Sequence, residues 1–334
     1  MIITRTPFRV SFFGGGTDYP GWFRENGGAV VATSIDKYCY LSVRHLPPFF
    51  ECKHRIVYSK IEMTKGEDEI EHPVVRALLS EYYSEKGVEI HHDGDLPARS
   101  GLGSSSAFTV GLLNAIQALK GRMISKHDLA REAIRIEQDV LKENVGCQDQ
   151  ITTAYGGLNR IEFRPDGGFD IEPVVVTQDR LNELEKHLVL YFSGVSRLSS
   201  QIAGEKIRNL RQRAAELRAL HTMVDQAIHI LQDPREPIWR FGKLLHESWM
   251  LKRLLADSVS TPEIDAIYDA ARDAGAIGGK VLGAGGGGFI LFFVTPDRQQ
   301  SVEERLNKLI RVNFRFETAG SRVLLYEPNG LENV

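Results

Sequence analysis

A glycine- and serine-rich segment has the residue types that bind phosphate groups. Residues 97–107 read PARSGLGSSSA and lead directly into an apolar helical pattern that ends near residue 120. Glycines allow close approach of the backbone to an anion, and the free N–H groups and dipole of a helix N-terminus attract it. An ordinary serine cap would account for one serine only. We therefore predict a phosphate cradle formed by Gly101, Leu102, Gly103, Ser104, Ser105, Ser106 and Ala107.

Two further glycine-rich segments lie far from this one in the sequence. Residues 14–20 read GGGTDYP after a strand-like run, which predicts either a tight turn or a loop in which Asp18 binds hydroxyl groups. Residues 283–288 fit the GxGxxG dinucleotide pattern, but the strand-like residues 289–294 follow where that fingerprint needs a helix. A Walker A motif is also absent, because Val281 follows Gly279-Lys280. The predicted phosphate site is therefore not a P-loop.

Two acidic residues could complete a phosphoryl-transfer site. That reaction needs a divalent metal and a group that orients or deprotonates the acceptor hydroxyl. Glu137, on the helix predicted over 126–143, and Asp149, in the turn after it, are candidates. Taken alone, Glu137 more often indicates a solvated helix face and Asp149 a turn former. A rival interpretation of residues 103–107 is a hydrolase nucleophile elbow, but its second glycine is missing and no Asp/His pair follows in suitable context.

Alternating strands and helices must hold these loops in place. In the first half, apolar spacing predicts strands and helices at 30–33, 38–44, 73–85, 88–92, 104–120 and 126–143. After a reset near residue 184, it predicts further elements at 187–192, 197–231, 235–256, 261–274, 289–294, 298–310 and 322–327. These elements do not alternate strictly as βαβ units, so we predict an α+β protein with domains at 1–184 and 185–334.

Composition excludes several other classes of protein. The 334 residues carry a net charge of −3, which leaves no basic footprint for nucleic acid. No apolar run approaches the length of a membrane span, and no secretory signal is evident. The three scattered cysteines suggest neither a disulfide framework nor a zinc site, so we expect a cytoplasmic setting. A homodimer is one assembly that the sequence allows.

Taken in order, these segments resemble the motifs of the GHMP kinases, the group of galactokinase, homoserine kinase, mevalonate kinase and phosphomevalonate kinase. Residues 6–19, 97–107 and 280–288 are similar to its three motifs, and Asp149-Gln150 is similar to its aspartate–glutamine pair. The resemblance implies an N-terminal domain like domain 2 of ribosomal protein S5 and a ferredoxin-like C-terminal domain. It also implies a small-molecule substrate bound in the cleft between the two domains.

The resemblance implies a role for individual residues. Asp149 would accept or orient the acceptor proton, while Arg9 would stabilise that carboxylate and offset charge on the transferring phosphoryl group. Residues 101–107 would hold the phosphates of ATP, and Ser105 and Glu137 would bind Mg²⁺. The substrate-binding residues would be Gly15, Gly16, Thr17, Asp18, Arg197, Gly285 and Gly286. Adenine contacts are suspected only in the stretch 56–73.

Several segments are most similar to the bacterial heptose kinases of this family. The loop GGGTD, the turn NVGCQDQ and the run SGVSR imply transfer to the anomeric hydroxyl of D-glycero-D-manno-heptose 7-phosphate. Gly15 and Gly16 stand where galactokinases have glutamate and histidine, which favours a bulkier or phosphorylated sugar. Such a substrate needs a second anion site, for which Arg197 is preferred because guanidinium suits bidentate phosphate contact; the alternatives are Arg5, Arg99, Lys252 and Arg253. A fucokinase- or galactokinase-like enzyme and a non-catalytic sugar and ATP sensor stay open.

Overall fold

Helices and sheets are mixed along the chain, as predicted for an α+β protein. The computed structural model describes residues 1–47, 49–84, 86–98, 100–194 and 199–328. Within those ranges, nine strands form the first sheet: β1 (Ile2–Phe13), β2 (Gly28–His45), β3 (His54–Val57), β4 (Ile61–Thr64), β5 (Val88–Gly94), β6 (Leu158–Phe163), β7 (Phe169–Pro173), β12 (Phe316–Glu317) and β13 (Arg322–Tyr326). Four form the second: β8 (Leu188–Phe192), β9 (Ala276–Val281), β10 (Phe289–Val294) and β11 (Ile310–Val312).

The first sheet is built around a long antiparallel pair. Its main order is β13-β1-β2-β5-β3-β4, with β6 and β12 also paired to β2 and β7 paired to β6, and only β3 and β5 run parallel. The sequence predicts two separate strands at 30–33 and 38–44, whereas the structure has one strand over both. The polar pair Asp36-Lys37 suggests a break, but pairing with β1 continues past it, with a register shift between Pro7 and Phe8. Tertiary pairing therefore overrides the local pattern.

Eleven α-helices occur in the described ranges. They are α1 (Pro20–Asn26), α2 (Pro73–Tyr82), α3 (Ser104–Leu119), α4 (Lys126–Arg135), α5 (Gln148–Tyr155), α6 (Gln178–His187), α7 (Ser199–Asn209), α8 (Ala214–Gln232), α9 (Trp239–Arg253), α10 (Pro262–Asp273) and α11 (Gln299–Arg305). Helix α3 packs on β1 and β2, where Gly111 meets the side chains of Thr6 and Leu41. The Arg9 amide of β1 donates to the Leu102 carbonyl, so the N-terminus of α3 lies beside β1.

The sequence predicts two continuous helices that are each divided in the structure. The stretch 126–143 begins as the regular helix α4 and continues as a π-helix, Ile136–Val140. The stretch 197–231 becomes α7 and α8, separated by residues 210–213, and its first two residues lie outside the described part of the chain. Neither break carries a glycine or a proline, so the sequence has no local signal for it.

The second sheet has the order β11-β8-β10-β9, and β10 is buried along its whole length. This burial explains its uniformly apolar sequence, FILFFV. Strands β12 and β13 come from the C-terminal part of the chain but pair with β2 and β1 in the first sheet. A domain division at residue 184 stays a prediction. None of the helices in the described ranges has both the length and the apolar character of a membrane span.

Candidate active site

An arginine–aspartate pair lies at the centre of the site. Arg9, a buried residue of β1, donates from Nε to Asp149 Oδ1 at 2.7 Å and from Nη2 to Oδ2 at 2.6 Å. Its remaining amine, Nη1, donates to the Gly101 carbonyl at 2.7 Å. Asp149 lies in the first turn of α5, and its side chain keeps 25% of its surface exposed. The bidentate contact fixes the carboxylate while leaving it accessible to a ligand.

The predicted phosphate loop lies directly against this pair. Gly103 is the N-cap of α3 with φ +74°, and a Cβ atom there would lie 3.0 Å from Arg9 Cγ and 3.6 Å from Asp149 Oδ2. The Arg9 amide donates to the Leu102 carbonyl at 3.0 Å. The loop therefore presents the N-terminus of a 16-residue helix, with its free N–H groups and positive dipole end, beside Asp149.

The third glycine segment supports the phosphate loop from behind. A Cβ atom at Gly101 would lie 2.6 Å from the Leu282 carbonyl oxygen, so the two backbones touch. The Phe289 amide also donates to the Ser100 carbonyl at 3.1 Å. Gly285 and Gly286 instead pack against Val259, whose carbonyl accepts from the Gly286 amide at 2.8 Å. A substrate-binding role for these two glycines stays a prediction.

The predicted sugar loop is joined to the Asp149 turn by Gln148 and by the Cys147 amide, which donates to the Asp18 carbonyl at 3.1 Å. The buried carboxylate of Asp18 accepts from the Gly16 amide at 2.9 Å and from Gln148 Nε2 at 3.0 Å. A Cβ atom at Gly146 would lie 1.9 Å from Asp18 Oδ2, so only glycine allows this approach. Burial raises the pKa of Asp18, and the negative charge of Asp149 raises it further, while the Gly16 amide opposes the change. Gln148 thus links the residue predicted to bind sugar to the residue predicted to accept the proton.

Thr17, also predicted to bind substrate, has a structural contact in this loop. Its hydroxyl shares its one hydrogen between the carbonyls of Gly14 at 2.8 Å and Ala29 at 2.9 Å, and it accepts from the Ala29 amide at 3.1 Å. The side chain is completely buried, and Gly14 has φ +80°, in the left-handed region that favours glycine. Thr17 therefore closes the turn that positions Gly15, Gly16 and Asp18.

Glu137 is buried without a full set of partners. It lies in the π-helix, a form often found at functional sites, with none of its surface exposed. Its Oε2 accepts from Ser106 Oγ at 3.0 Å and from Gln150 Nε2 at 2.5 Å, whereas Oε1 has no hydrogen-bond partner. Burial raises the pKa of Glu137 to about 7, against the opposing effect of the Thr109 hydroxyl, which is the largest, and of Gln150 and Ser106. A buried carboxylate oxygen without a partner suits a cation-binding site.

A magnesium site is consistent with this oxygen-rich donor set, because Mg²⁺ prefers one or two carboxylates and retains bound water. In the described ranges, no cluster of three or more acidic, histidine or cysteine side chains is grouped as a metal centre. Ser105, the other predicted ligand, is exposed, while its neighbour Ser106 is buried and bonded to Glu137. The fit therefore depends on the unpaired Glu137 oxygen.

The predicted second anion site is less defined. Arg197 and Arg99 lie outside the described residues. Of the alternatives, Arg5 contacts Glu317 at 3.7 Å, Arg253 contacts Asp265 at 2.9 Å, and Lys252 donates to two backbone carbonyls.

Ring contacts join the suspected adenine stretch to the phosphate-loop helix. His72, at the end of the stretch 56–73, stacks on Phe108 of α3 at a centroid distance of 4.6 Å, and Tyr58 meets His72 edge-on at 5.0 Å. The stretch therefore lies one helical turn from the phosphate loop, which is compatible with the suspected adenine contacts.

The sequence predicts no partner for two glutamines at the site, although Gln150 belongs to the aspartate–glutamine pair of the family motif. Gln148 reaches Asp18, and Gln150 reaches Glu137, although both residues flank the aspartate that the motif marks. Glutamines beside a marked aspartate are the one hint that the sequence offers.

Comparisons with known proteins agree with this geometry. Residues 70–157 match the family described as "GHMP kinases N terminal domain" and residues 238–311 match "GHMP kinases C terminal". The chain is 30% identical to the D-glycero-alpha-D-manno-heptose 7-phosphate kinase of Campylobacter jejuni, over 92% of this chain and 93% of that protein. It is 27% identical to the L-fucokinase/L-fucose-1-P guanylyltransferase of Bacteroides fragilis, over 94% of this chain and 36% of that protein.

Solved structures show the same fold. The crystal structure of a D-glycero-D-manno-heptose 1-phosphate kinase from Bacteroides thetaiotaomicron superposes with a TM-score of 0.80 at 24% identity, covering 98% of this chain and all of that one. The predicted fold and family are therefore confirmed. The chain belongs to the GHMP kinases and is a phosphotransferase that uses ATP to phosphorylate an alcohol group.

Proposed function

We propose that this kinase phosphorylates the anomeric hydroxyl of a sugar phosphate, D-glycero-D-manno-heptose 7-phosphate, using ATP and Mg²⁺. The position of Asp149 carries the proposal, because that carboxylate is held by Arg9 beside both the phosphate loop and the sugar loop. The similarity to the Campylobacter jejuni enzyme over almost the whole chain supports this acceptor.

Asp149 would take the proton of the acceptor hydroxyl as that oxygen attacks the γ-phosphorus and ADP leaves. Arg9 binds both carboxylate oxygens, so it keeps Asp149 in one orientation, and a quarter of the Asp149 side chain is still open to an acceptor. The guanidinium group would also offset negative charge that gathers on the transferring phosphoryl group. Residues 101–107 would bind the ATP phosphates through the amides of the α3 N-terminus.

Glu137 and Ser105 would hold the magnesium ion. When bound, Mg²⁺ neutralises charge on the phosphoryl oxygens of ATP. The buried Glu137 Oε1, which has no hydrogen-bond partner, supports the first assignment. Ser105 is exposed and therefore accessible to an ion, and it is adjacent in the chain to Ser106, which contacts Glu137.

The acceptor would lie against the sugar loop. Asp18 would accept from a sugar hydroxyl, and the missing side chains of Gly15 and Gly16 would leave room for a large sugar. The proposed acceptor contacts are Gly15, Gly16, Thr17, Asp18, Arg197, Gly285 and Gly286. A homodimer and a cytoplasmic setting stay predictions from the sequence.

An acceptor panel tests the proposal. We would measure ADP release with the heptose 7-phosphate, the same heptose without phosphate, galactose and L-fucose, and locate the new phosphate by phosphorus NMR. We expect kcat/KM for the heptose 7-phosphate to exceed that for galactose and L-fucose at least about 100-fold, because a site that binds a polar group rejects ligands lacking it. Preference for a neutral sugar would assign a fucokinase- or galactokinase-like enzyme. ATP and sugar binding without ADP release would assign a sensor.

A further inference from the structure

Lys206 is a nearly buried cation beside the acceptor loop, and it has no role in the site described above. It lies on α7 with 4% of its surface exposed. In the described part of the chain, its ammonium group makes no hydrogen bond or ion pair, and Asp18 is the negative charge that raises its pKa against burial. Burying an ammonium group without a partner costs free energy. A bound ligand that accepts a hydrogen bond from the Lys206 ammonium group would offset this cost.

Helix α7 is held over the site by residues other than Lys206. A Cβ atom at Gly204 would lie 3.0 Å from Asn144 Nδ2, in the turn that leads to Asp149. Asn209 Nδ2 donates to the Leu255 carbonyl at 3.1 Å. The helix therefore keeps its place without a bond from the lysine, which leaves the ammonium group available.

The charges around Lys206 are unbalanced. Electrostatic interactions connect one group of described side chains, four basic and two acidic: Arg9, Lys206, Lys252, Lys280, Asp18 and Asp149. Burial lowers the pKa of Lys206 to about 8, while Asp18 opposes this change. Burial also lowers the pKa of Lys280 to about 7, and the charges of Arg9 and Lys206 lower it further. Burial and the neighbouring cations also lower the pKa of Lys252. A bound anion would favour the protonated forms of these lysines and offset the repulsion among them.

The other three cations are already engaged. Lys252 Nζ donates to the carbonyls of Val281 and Gly283, each at 2.7 Å, and so ties α9 to the third glycine segment. Lys280 Nζ donates to the Phe12 carbonyl at 2.7 Å, at the end of β1. Arg9 is bound to Asp149 and to the phosphate loop. Lys206 is therefore the member of the group best placed to bind a ligand.

We propose that Lys206 binds a phosphoryl oxygen of the reacting complex, next to the hydroxyl that Asp18 accepts from. This inference rests on the proposed kinase function. The oxygen has two sources, the phosphate that the acceptor already carries and the phosphoryl group being transferred. Both supply the negative charge that the group around Lys206 lacks, and the experiment below separates them.

Two variants test the lysine, Lys206→Met and Lys206→Arg, assayed by steady-state kinetics on an acceptor with and without its own phosphate. Loss of one charge-assisted hydrogen bond predicts about a 10- to 100-fold effect for Lys206→Met and a much smaller one for Lys206→Arg. A rise in KM confined to the phosphorylated acceptor assigns the oxygen to the acceptor's phosphate. An equal fall in kcat on both acceptors assigns it to the transferred phosphoryl group.

Stability and pH separate a ligand-binding role from a structural one. Lys206→Met should not lower Tm, because it removes a buried charge that has no partner. The matched variant Lys252→Met should lower Tm, because it leaves two buried carbonyls without their donor. In the wild type, kcat/KM for the acceptor should fall as pH rises through about 8, where Lys206 loses its proton. Lys206→Arg should retain kcat/KM across that range, although Lys280 still titrates in it.

Unchanged kinetics for Lys206→Met, or a fall in Tm with no kinetic effect, would overturn the assignment. The wild-type panel judges the proposed acceptor separately. If the wild type prefers a neutral sugar, the proposed acceptor is wrong, and the variants are then compared on that sugar. Because it carries no phosphate, only a fall in kcat then supports Lys206, and an effect confined to the sugar's KM would overturn the assignment.

Discussion

Asp149 and Glu137 are two carboxylates of one site, and their surroundings differ. Arg9 donates to both oxygens of Asp149, and a quarter of that side chain is exposed. Glu137 is fully buried, both of its bonds reach one oxygen, and the other oxygen has none. The pKa of Glu137 is correspondingly raised to about 7 by burial. Both oxygens of Asp149 therefore have a hydrogen-bond partner within the protein, whereas one oxygen of Glu137 has none.

The difference separates two ways of preparing a charged group. Asp149 is oriented by a partner within the chain, so it is ready before any ligand binds. Glu137 lacks a counter-charge in the described protein, so a ligand would have to supply it. Substituting Asp149 should therefore lower turnover, whereas substituting Glu137 should raise the magnesium concentration that the enzyme requires.

The largest effect is expected from Asp149→Asn. Asparagine keeps the size and one oxygen for Arg9 but cannot accept the acceptor's proton as a carboxylate does. We expect kcat to fall by about 10²- to 10⁴-fold, the usual contribution of a general base. ATP should still bind, because the phosphate loop is untouched. ADP release and calorimetric titration of ATP measure the two quantities.

A matched control removes a carboxylate that has no place in the site. Asp166 lies in an exposed turn, where it pairs with Arg164, so Asp166→Asn should leave kcat unchanged. If Asp149→Asn retained wild-type turnover, or lost ATP binding together with turnover, the proposed role of Asp149 would be untenable.

Glu137→Gln should have its main effect on the magnesium requirement. The amide keeps the shape of the side chain but removes the charge that would bind the ion. We expect the Mg²⁺ concentration for half-maximal rate to rise by about 10- to 100-fold, as for other residues that tune metal binding. Asp139→Asn, on the exposed face of the same π-helix, is the control and should leave that concentration unchanged.

The same substitution predicts a pH-dependent change in stability without metal. The pKa of Glu137 is about 7 in the folded protein and about 4.3 in an unfolded chain. Between these values the folded state holds one more proton, so the stability from this group is lost as pH rises through about 7. The difference corresponds to about 4 kcal/mol. Metal-free Glu137→Gln should therefore be more stable than wild type at pH 8 and similar at pH 4, below both pKa values, as measured by urea unfolding. If the free energies of unfolding of wild type and variant changed in parallel with pH, ionisation of Glu137 would not destabilise the folded state.

The sequence predicts the phosphate loop, because its glycines and serines lie together in one short segment. The approach of Gly101 and Gly103 to other backbone or side-chain atoms explains why those positions lack a Cβ atom. The family resemblance adds the pairing of Arg9 with Asp149, which lie 140 residues apart and which spacing alone could not connect.

Other parts of the site have no local signal. The π-helix around Glu137 follows an amphipathic pattern that also fits an ordinary α-helix, so tertiary packing must decide its form. Lys206 and Lys252 are ordinary surface residue types on predicted helices, and Lys280 begins the third motif. Only the folded chain brings the three lysines into one buried group. Burial of long charged side chains is set by distant neighbours, which a single sequence does not reveal.

The smallest expected effects come from two adjacent serines, and they sharpen the comparison at Glu137. Ser105→Ala should raise the Mg²⁺ requirement up to about tenfold with unchanged Tm, because the residue is exposed and the proposed bond is to the ion. Ser106→Ala removes a donor to Glu137 Oε2 and should cost about 1 kcal/mol of stability.

The two serines also predict opposite pH behaviour. The hydrogen bond from Ser106 lowers the pKa of Glu137, so Ser106→Ala should raise that pKa and shift the loss of Mg²⁺ affinity at low pH to higher pH. Ser105→Ala should leave this pH midpoint where it is, because it donates nothing to Glu137 among the described contacts. If instead Ser106→Ala had the larger effect on the Mg²⁺ requirement at pH 9, where Glu137 is ionised in either case, the hydroxyl ligand would be Ser106 and not Ser105.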